Sequence, residues 1–237
     1  MKAIVLCGGL GTRLGELTKH APKSMLQVAG RPFIAHVLDR LCFSGIEGIV
    51  LAAGFAWEQL KSYVGDYWAN VPIHYSVDPF PLGTGGAILL AMQSHQLTEA
   101  LVVNGDTLFE IDLRLFLNDS STQKRASAST LIALKTVENC SRYGRVEIDH
   151  EGVVQSFGEK NFCGPGFING GIYVQRRSPL ERFGNLSFSF EADYLANNFK
   201  SLEMIGIPSN GYFIDIGVPE DLIRADLEQT SFSKNSI

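Results

Sequence analysis

With 237 residues, 45% of them hydrophobic and 19% charged, the chain is long enough to bury a sizeable core and too apolar to be a disordered or fibrous polypeptide. A formal net charge of −5, with no basic run longer than Arg176-Arg177, disfavours nucleic acid and anionic membrane surfaces as partners. Cysteines at 7, 42, 140 and 163 form no C-x-x-C pair, the apolar run after Lys2 is too short for a signal peptide, and no apolar span reaches about 18 residues. These features predict a soluble, cytoplasmic protein without a disulfide framework or zinc site.

In chain order, Ala3-Ile4-Val5-Leu6 is short, apolar and partly β-branched, which predicts a buried strand running into a glycine-rich loop. Apolar residues Phe33, Val37, Leu38 and Leu41 recur at helical spacing over 32–45, between Pro32 at the start and Gly45 at the stop. A second strand over 48–53, a helix over 57–64, a third strand over 71–77, a helix over about 84–95 and a strand over 100–104 follow. This alternation argues for an α/β protein, a three-layer αβα Rossmann-like arrangement whose mixed, mostly parallel sheet is covered on both faces. In the second half, 126–135, 145–148, 153–157 and 167–174 read as strands, with Asp149-His150-Glu151-Gly152 as a hairpin turn. Helices are expected over 190–199 and 219–227, then a polar, frayed tail over 231–237. No internal repeat or linker divides the chain, so a single domain over 1–230 is expected.

The stretch of greatest chemical content is Leu6-Cys7-Gly8-Gly9-Leu10-Gly11-Thr12-Arg13-Leu14, followed by Pro22-Lys23-Ser24-Met25. Glycines clustered after a strand let backbone N–H groups crowd around an anion, and Arg13 and Lys23 supply the fixed positive charge that polyphosphate chemistry requires. The loop therefore reads as a triphosphate cradle; the plainer alternative is a tight strand-to-helix turn with incidental glycines. A dinucleotide G-x-G-x-x-G counted from Gly9 fails at Leu14, and no Gly-Lys-Ser/Thr triplet of a Walker loop occurs.

Asn104-Gly105-Asp106 closes the apolar run Leu101-Val102-Val103, and Asp215 follows Gly211-Tyr212-Phe213-Ile214 in the same manner. A carboxylate at the carboxyl end of a strand faces the ligand cleft of such a sheet. Two of them can share one Mg2+, with phosphate oxygens and waters filling its octahedron. Singly, each is equally a turn residue accepting backbone hydrogen bonds. Asp78, itself also readable as a turn residue before Pro79, precedes Leu82-Gly83-Thr84-Gly85-Gly86, which brings backbone amides and a helix N-terminus to the cleft. Glu159-Lys160 after Phe157-Gly158 reads, alone, as a solvated surface pair. The five histidines belong to no motif, and no Ser/His/Asp set is assembled for acyl transfer.

Gly-x-Gly-Thr-Arg-Leu at 9–14 with Pro-Lys-Ser-Met at 22–25 resembles the sugar-1-phosphate nucleotidyltransferases, and the resemblance runs from residue 1 to about 228 with the motifs in the family's order. It implies the family's nucleotidyltransferase fold, with a nucleotide-binding half over about 1–110 and a sugar-phosphate-binding half over about 111–230. By that resemblance Leu6, Gly8, Gly9, Gly11, Thr12, Arg13 and Lys23 surround the nucleotide phosphates. Asp106 and Asp215 hold Mg2+. Asp78 reads the base with help from Gly83 and Thr84. Gly144, Glu159, Lys160 and Asn169 bind the sugar phosphate, and Arg13, Lys23, Asp106 and Lys160 are the catalytic set.

Chemistry narrows the base. Guanine offers N1–H and N2–H side by side, a pair that one carboxylate accepts together, whereas uracil offers a single N3–H between two carbonyls. Adenine and cytosine place a ring acceptor beside the amino donor. A repelled or unpaired buried group costs about 1–3 kcal/mol, so a carboxylate at 78 favours GTP. The Leu-Gly-Thr-Gly-Gly-Ala-Ile, Asn-Gly-Asp-Thr, Arg-Tyr-Gly, Ile-Asn-Gly-Gly-Ile-Tyr and Ser189-Phe190-Glu191 segments are most similar to guanylyltransferases of D-glycero-α-D-manno-heptose 1-phosphate. The expected partners are GTP and that sugar 1-phosphate, with neither nucleic acid nor membrane, and a homo-oligomer is compatible with the sequence. Mannose-1-phosphate guanylyltransferase and N-acetylmuramate-1-phosphate uridylyltransferase are the rival enzymes, and a regulatory nucleotide-sugar-binding subunit is the rival of another class.

Overall fold

The computed structural model describes residues 1–9, 11–19, 21–119, 127–158, 162–184 and 186–234; the side chains of Thr12, Arg13, Asp119 and 230–234 lie outside the description. Strand β1 (Ala3–Leu6) leads, through a 3-10 stretch at Thr12–Thr18 and a 3-10 turn at Lys23–Met25, to α1 (Phe33–Phe43). There follow β2 (Ile49–Ala53), α2 (Trp57–Val64), β3 (Val71–Val77), α3 (Gly83–Ser94) and β4 (Glu99–Asn104). The second half holds β5 (Thr107–Phe109), α4 (Leu113–Asp119), β6 (Thr130–Val137), β7 (Val146–Ile148), β8 (Val154–Phe157), β9 (Gly166–Arg176), α5 (Arg177–Phe183), β10 (Met204–Ser209), β11 (Phe213–Asp215) and α6 (Pro219–Lys234).

The central sheet runs β8-β7-β9-β4-β1-β2-β3, and β6 packs along the other side of β9 with β10 beyond it. Strands β4, β1, β2 and β3 are parallel neighbours, whereas β9 is antiparallel to both β4 and β6, so the sheet is mixed and mostly parallel in its first half as expected. The continuous apolar runs of β1 and β2 are explained by burial on both faces. Ala3 and Val5 point to the layer holding Phe33, Ile34, Leu38 and Leu41 of α1. Ile4 points to the opposite layer, with Ile88, Ala91 and Met92 of α3. Alternation of side chains along one strand thus feeds two separate cores.

Several expectations need correction. The last helix does not stop near Leu227: its backbone continues to Lys234, so the tail over 231–234 is helical and not frayed. No glycine or proline interrupts that stretch, so its polar residues continue the helix. The segment expected as one helix over 190–199 is a wide π-helical turn, Phe190–Leu195, continuing into a short α-turn. The strand expected over 126–135 begins at Thr130, and residue 126 lies outside the described residues. Strand β5 and helices α4 and α5 carried no periodic signal long enough to read.

Candidate functional site

The carboxyl ends of the parallel strands open onto a cleft of about 480 Å³, lined among others by Gly8 and Gly9 after β1, Asp78 after β3 and Asp106 after β4. Leu6 also lines it, and its carbonyl accepts the Gly105 N–H at 3.0 Å. A Cβ at position 105 would stand 2.6 Å from the Leu6 oxygen, so only glycine lets the turn before Asp106 close against β1. Gly105→Ala is expected to cost about 2 kcal/mol and lower Tm by roughly 6 °C, read by calorimetry, because the obstructing atom is backbone and cannot rotate away.

The two aspartates far apart in sequence meet through a second, two-stranded sheet. Strand β11 pairs antiparallel with β5 in the register Asp215↔Thr107, and the Ile216 N–H donates to the Asp106 carbonyl at 3.0 Å. Lys23, in the turn that Pro22 starts, reaches between them: its Nζ lies 2.5 Å from Asp106 Oδ2 and 3.4 Å from Asp215 Oδ1. Thr107 Oγ1 donates to the other Asp106 oxygen at 3.2 Å, which orients the carboxylate. Burial raises the Asp215 carboxyl above its ordinary range; the Lys23 ammonium opposes that shift and the Asp106 charge reinforces it. A single cation already bridging two carboxylate oxygens demonstrates that this donor set accepts positive charge. Among the described residues no three His, Cys, Asp or Glu side chains stand close enough together to hold an ion by themselves. Two carboxylates with room for phosphate and water oxygens is the donor set that Mg2+ takes in nucleotide sites, so the residues present fit it.

On the far wall, Asp78 continues β3, its N–H bonded to the Ala53 carbonyl at 2.9 Å. Its Oδ1 is buried without a hydrogen-bond partner among the described residues, and burial pushes the carboxyl up to about 6. A buried acceptor with no internal donor is a place for a ligand donor. Gly83 and Thr84 line the same wall at the start of α3. The Thr84 hydroxyl oxygen accepts the Phe190 N–H at 2.8 Å, a structural task the sequence reading did not assign it. The glycines there serve packing as well: a Cβ at Gly85 would sit 2.1 Å from the Phe188 ring, and the Gly85 N–H donates to the Phe188 carbonyl at 2.9 Å. Gly11 stands in the left-handed region (φ 59°) with its carbonyl accepting the Thr18 hydroxyl at 2.9 Å, which shapes the loop end.

The acceptor half is only partly gathered at the cleft. Glu159 and Lys160 lie outside the described residues. Gly144, in the left-handed region at φ 85°, donates its amide to the Cys140 carbonyl at 3.0 Å within the 140–144 turn. Asn169 uses Oδ1 to accept the Gly171 N–H at 3.0 Å and Nδ2 to reach Glu191 Oε1 at 3.4 Å. Sequence reasoning assigned no role to Glu191, Tyr173, Ser24 or Thr107. Glu191 and Ser24 line the cleft, and the Tyr173 hydroxyl donates to Glu191 Oε1 at 2.8 Å. Glu191 was signalled only as part of the Ser189-Phe190-Glu191 match. The Cys7 thiol, pushed up to about 12 by burial, is no nucleophile. His36 is structural, its Nε2 bonded to the Val28 carbonyl at 2.9 Å.

Three comparisons bear on this arrangement. A family model described as nucleotidyl transferase matches residues 2–231. The chain is 42% identical over 223 residues to the D-glycero-alpha-D-manno-heptose 1-phosphate guanylyltransferase of Campylobacter jejuni, covering 93% of this chain and 96% of that protein. It is 37% identical over 230 residues to the enzyme of the same name from Aneurinibacillus thermoaerophilus, covering 96% and 98%. The crystal structure of HddC from Yersinia pseudotuberculosis complexed with GMP-PN superposes with a TM-score of 0.85 at 33% identity, covering 96% of this chain and 99% of that one.

Proposed function

Because the chain belongs to the nucleotidyl transferase family, we propose that it transfers GMP from GTP to a sugar 1-phosphate, D-glycero-α-D-manno-heptose 1-phosphate in particular, giving GDP-heptose and pyrophosphate. The observation that carries this reading is the convergence of Asp106 and Asp215 on one cation position beside Gly8 and Gly9. The two guanylyltransferase relatives supply the sugar and the base, and the Asp78 oxygen, without a partner among the described residues, gives the base a physical reader.

In the reaction, a phosphate oxygen of the sugar 1-phosphate attacks the α-phosphorus of GTP in line. The new O–P bond forms as the bond to the β-phosphate bridging oxygen breaks, and pyrophosphate leaves with the electron pair. The protein contributes positioning and charge neutralisation and no covalent intermediate. The Gly8-Gly9 backbone and the loop through Gly11 and Thr12 cradle the triphosphate; Leu6 packs beside it. Arg13 grips the leaving pyrophosphate, and Lys23 neutralises charge developing at the α-phosphate. Asp78 accepts N1–H and N2–H of guanine, with Gly83 and Thr84 beside it. Lys160 holds the sugar phosphate, while Glu159, Asn169 and the Gly144 segment meet its hydroxyls. Asp106 and Asp215 would hold Mg2+, which supplies Lewis-acid polarisation of the phosphates when bound.

The Asp78 carboxyl gives a pH signature. Its raised position near 6 means that it is charged above that pH and neutral below it. Only the charged form accepts both guanine donors, so KM for GTP should be flat above about pH 7 and rise about tenfold per unit below pH 6. In Asp78→Asn that rise disappears and the preference for GTP over ATP collapses. A wild-type KM unchanged down to pH 5 would contradict the base-reading role. The reading as a whole is tested by pyrophosphate release with GTP, UTP, ATP and CTP against heptose, mannose and N-acetylmuramate 1-phosphates. GTP with the heptose is the expected pair, and a preference for UTP would overturn it.

A further inference from the structure

We infer that Glu191 is a further group that recognises hydroxyls of the acceptor sugar, alongside Asn169, with Tyr173 as its positioning residue; this rests on the guanylyltransferase reading and extends it. Glu191 is exposed on the cleft wall, yet one of its oxygens is held from two sides, by the Tyr173 hydroxyl at 2.8 Å and by Asn169 Nδ2 at 3.4 Å. Both donors come from β9, where the register against β6 shifts between Asn169 and Tyr173. Such an irregularity re-aims side chains beside a site, and here it points two donors at one oxygen. The other support is the turn that carries Glu191. Ser189 caps it by accepting the Ala192 N–H at 3.1 Å, while the Ser189 N–H donates to Asp193 Oδ2 at 2.7 Å. The turn is π-helical, a form that occurs often at functional sites.

Position across the sheet assigns the ligand. Reading along the carboxyl ends, Asp78 follows β3, Gly8 follows β1, Asp106 follows β4, and Tyr173 lies on β9 next to β4. Four strand spacings separate β9 from β3, roughly 19 Å at about 4.8 Å each. Base and ribose therefore lie on the Asp78 side of the phosphate loop, and the Tyr173 hydroxyl that holds Glu191 Oε1 comes from the strand beyond Asp106, on the side left for the acceptor. A carboxylate there repels phosphate and accepts from neutral hydroxyls. With Oε1 anchored, Oε2, which has no hydrogen-bond partner among the described residues, can take hydroxyls of a sugar ring with little ordering cost.

The test uses the full chain with GTP and D-glycero-α-D-manno-heptose 1-phosphate. Glu191→Gln and Glu191→Ala are expected to raise KM for the sugar phosphate at least about tenfold, with GTP affinity by calorimetry within twofold of wild type, which also reports an intact cleft. Tyr173→Phe should move the same KM in the same direction by a smaller factor, again without moving GTP affinity. A sugar KM unchanged in both Glu191 variants, or GTP affinity falling in parallel with it, overturns the inference while leaving guanylyl transfer standing. Wild-type protein that turns over no sugar 1-phosphate defeats the guanylyltransferase reading and this one with it.

Discussion

Asp106→Asn should lower turnover about a thousandfold while GTP affinity changes by less than about tenfold. Asparagine preserves the shape that Thr107 and the turn at Gly105 hold in place, so the fold and the nucleotide cradle survive. What disappears is one of the two negative oxygens facing the cation position that Lys23 Nζ occupies. Charge matters most where it develops during phosphoryl transfer, so the loss falls on the rate and little on binding. Single-turnover pyrophosphate release compared with calorimetric GTP binding separates the two. Equal and small losses in both would remove Asp106 from the transfer step.

Lys23→Met, which keeps the length and apolar stem of the side chain, should lower kcat by about two to three orders of magnitude. The wild-type side chain is one-tenth exposed, and its ammonium faces two carboxylates whose mutual repulsion it offsets. Without it, Asp106 and Asp215 confront each other uncompensated, which destabilises the ligand-free fold. The variant's Tm in the absence of divalent ions should fall, and added Mg2+ should restore it, because a second cation can then settle between the same oxygens. Lys23→Arg should not rescue kcat, since a planar guanidinium cannot be a compact point charge between two carboxylates this close. A Lys23→Met protein whose Tm ignores Mg2+ would show that the two aspartates do not share one ion position.

Much of this fold was legible because its first half obeys one simple rule. Parallel strands buried on both faces are continuous apolar runs, and the helices between them show their own spacing, so β1 through β4 and α1 through α3 could be placed within two residues. The paired aspartates were legible because each ends an apolar run. How they meet was not: β5 is three residues long, has no period to detect, and exists only because β11 pairs with it. Tyr173 and Glu191 belong to the same class, since nothing in either local sequence announces the other. The glycines at 83, 85 and 86 carry a second task that the sequence does not announce. They read as backbone amides and a helix N-terminus brought to the cleft, and the close approach of residues 186–190 requires them as well, with the Phe188 ring where a Gly85 side chain would be. Local sequence records which atoms are absent, and tertiary contact decides which neighbour uses the space.

The central claim, that the α-phosphorus of GTP is attacked by a sugar phosphate, is tested most directly by following label. With D-glycero-α-D-manno-heptose 1-phosphate and GTP labelled at the α-phosphate, the label should pass into the sugar nucleotide; with GTP labelled at the γ-phosphate, it should leave as pyrophosphate. Transfer of the γ label to the sugar, or an α label that stays in GTP or emerges only as GMP, would contradict it.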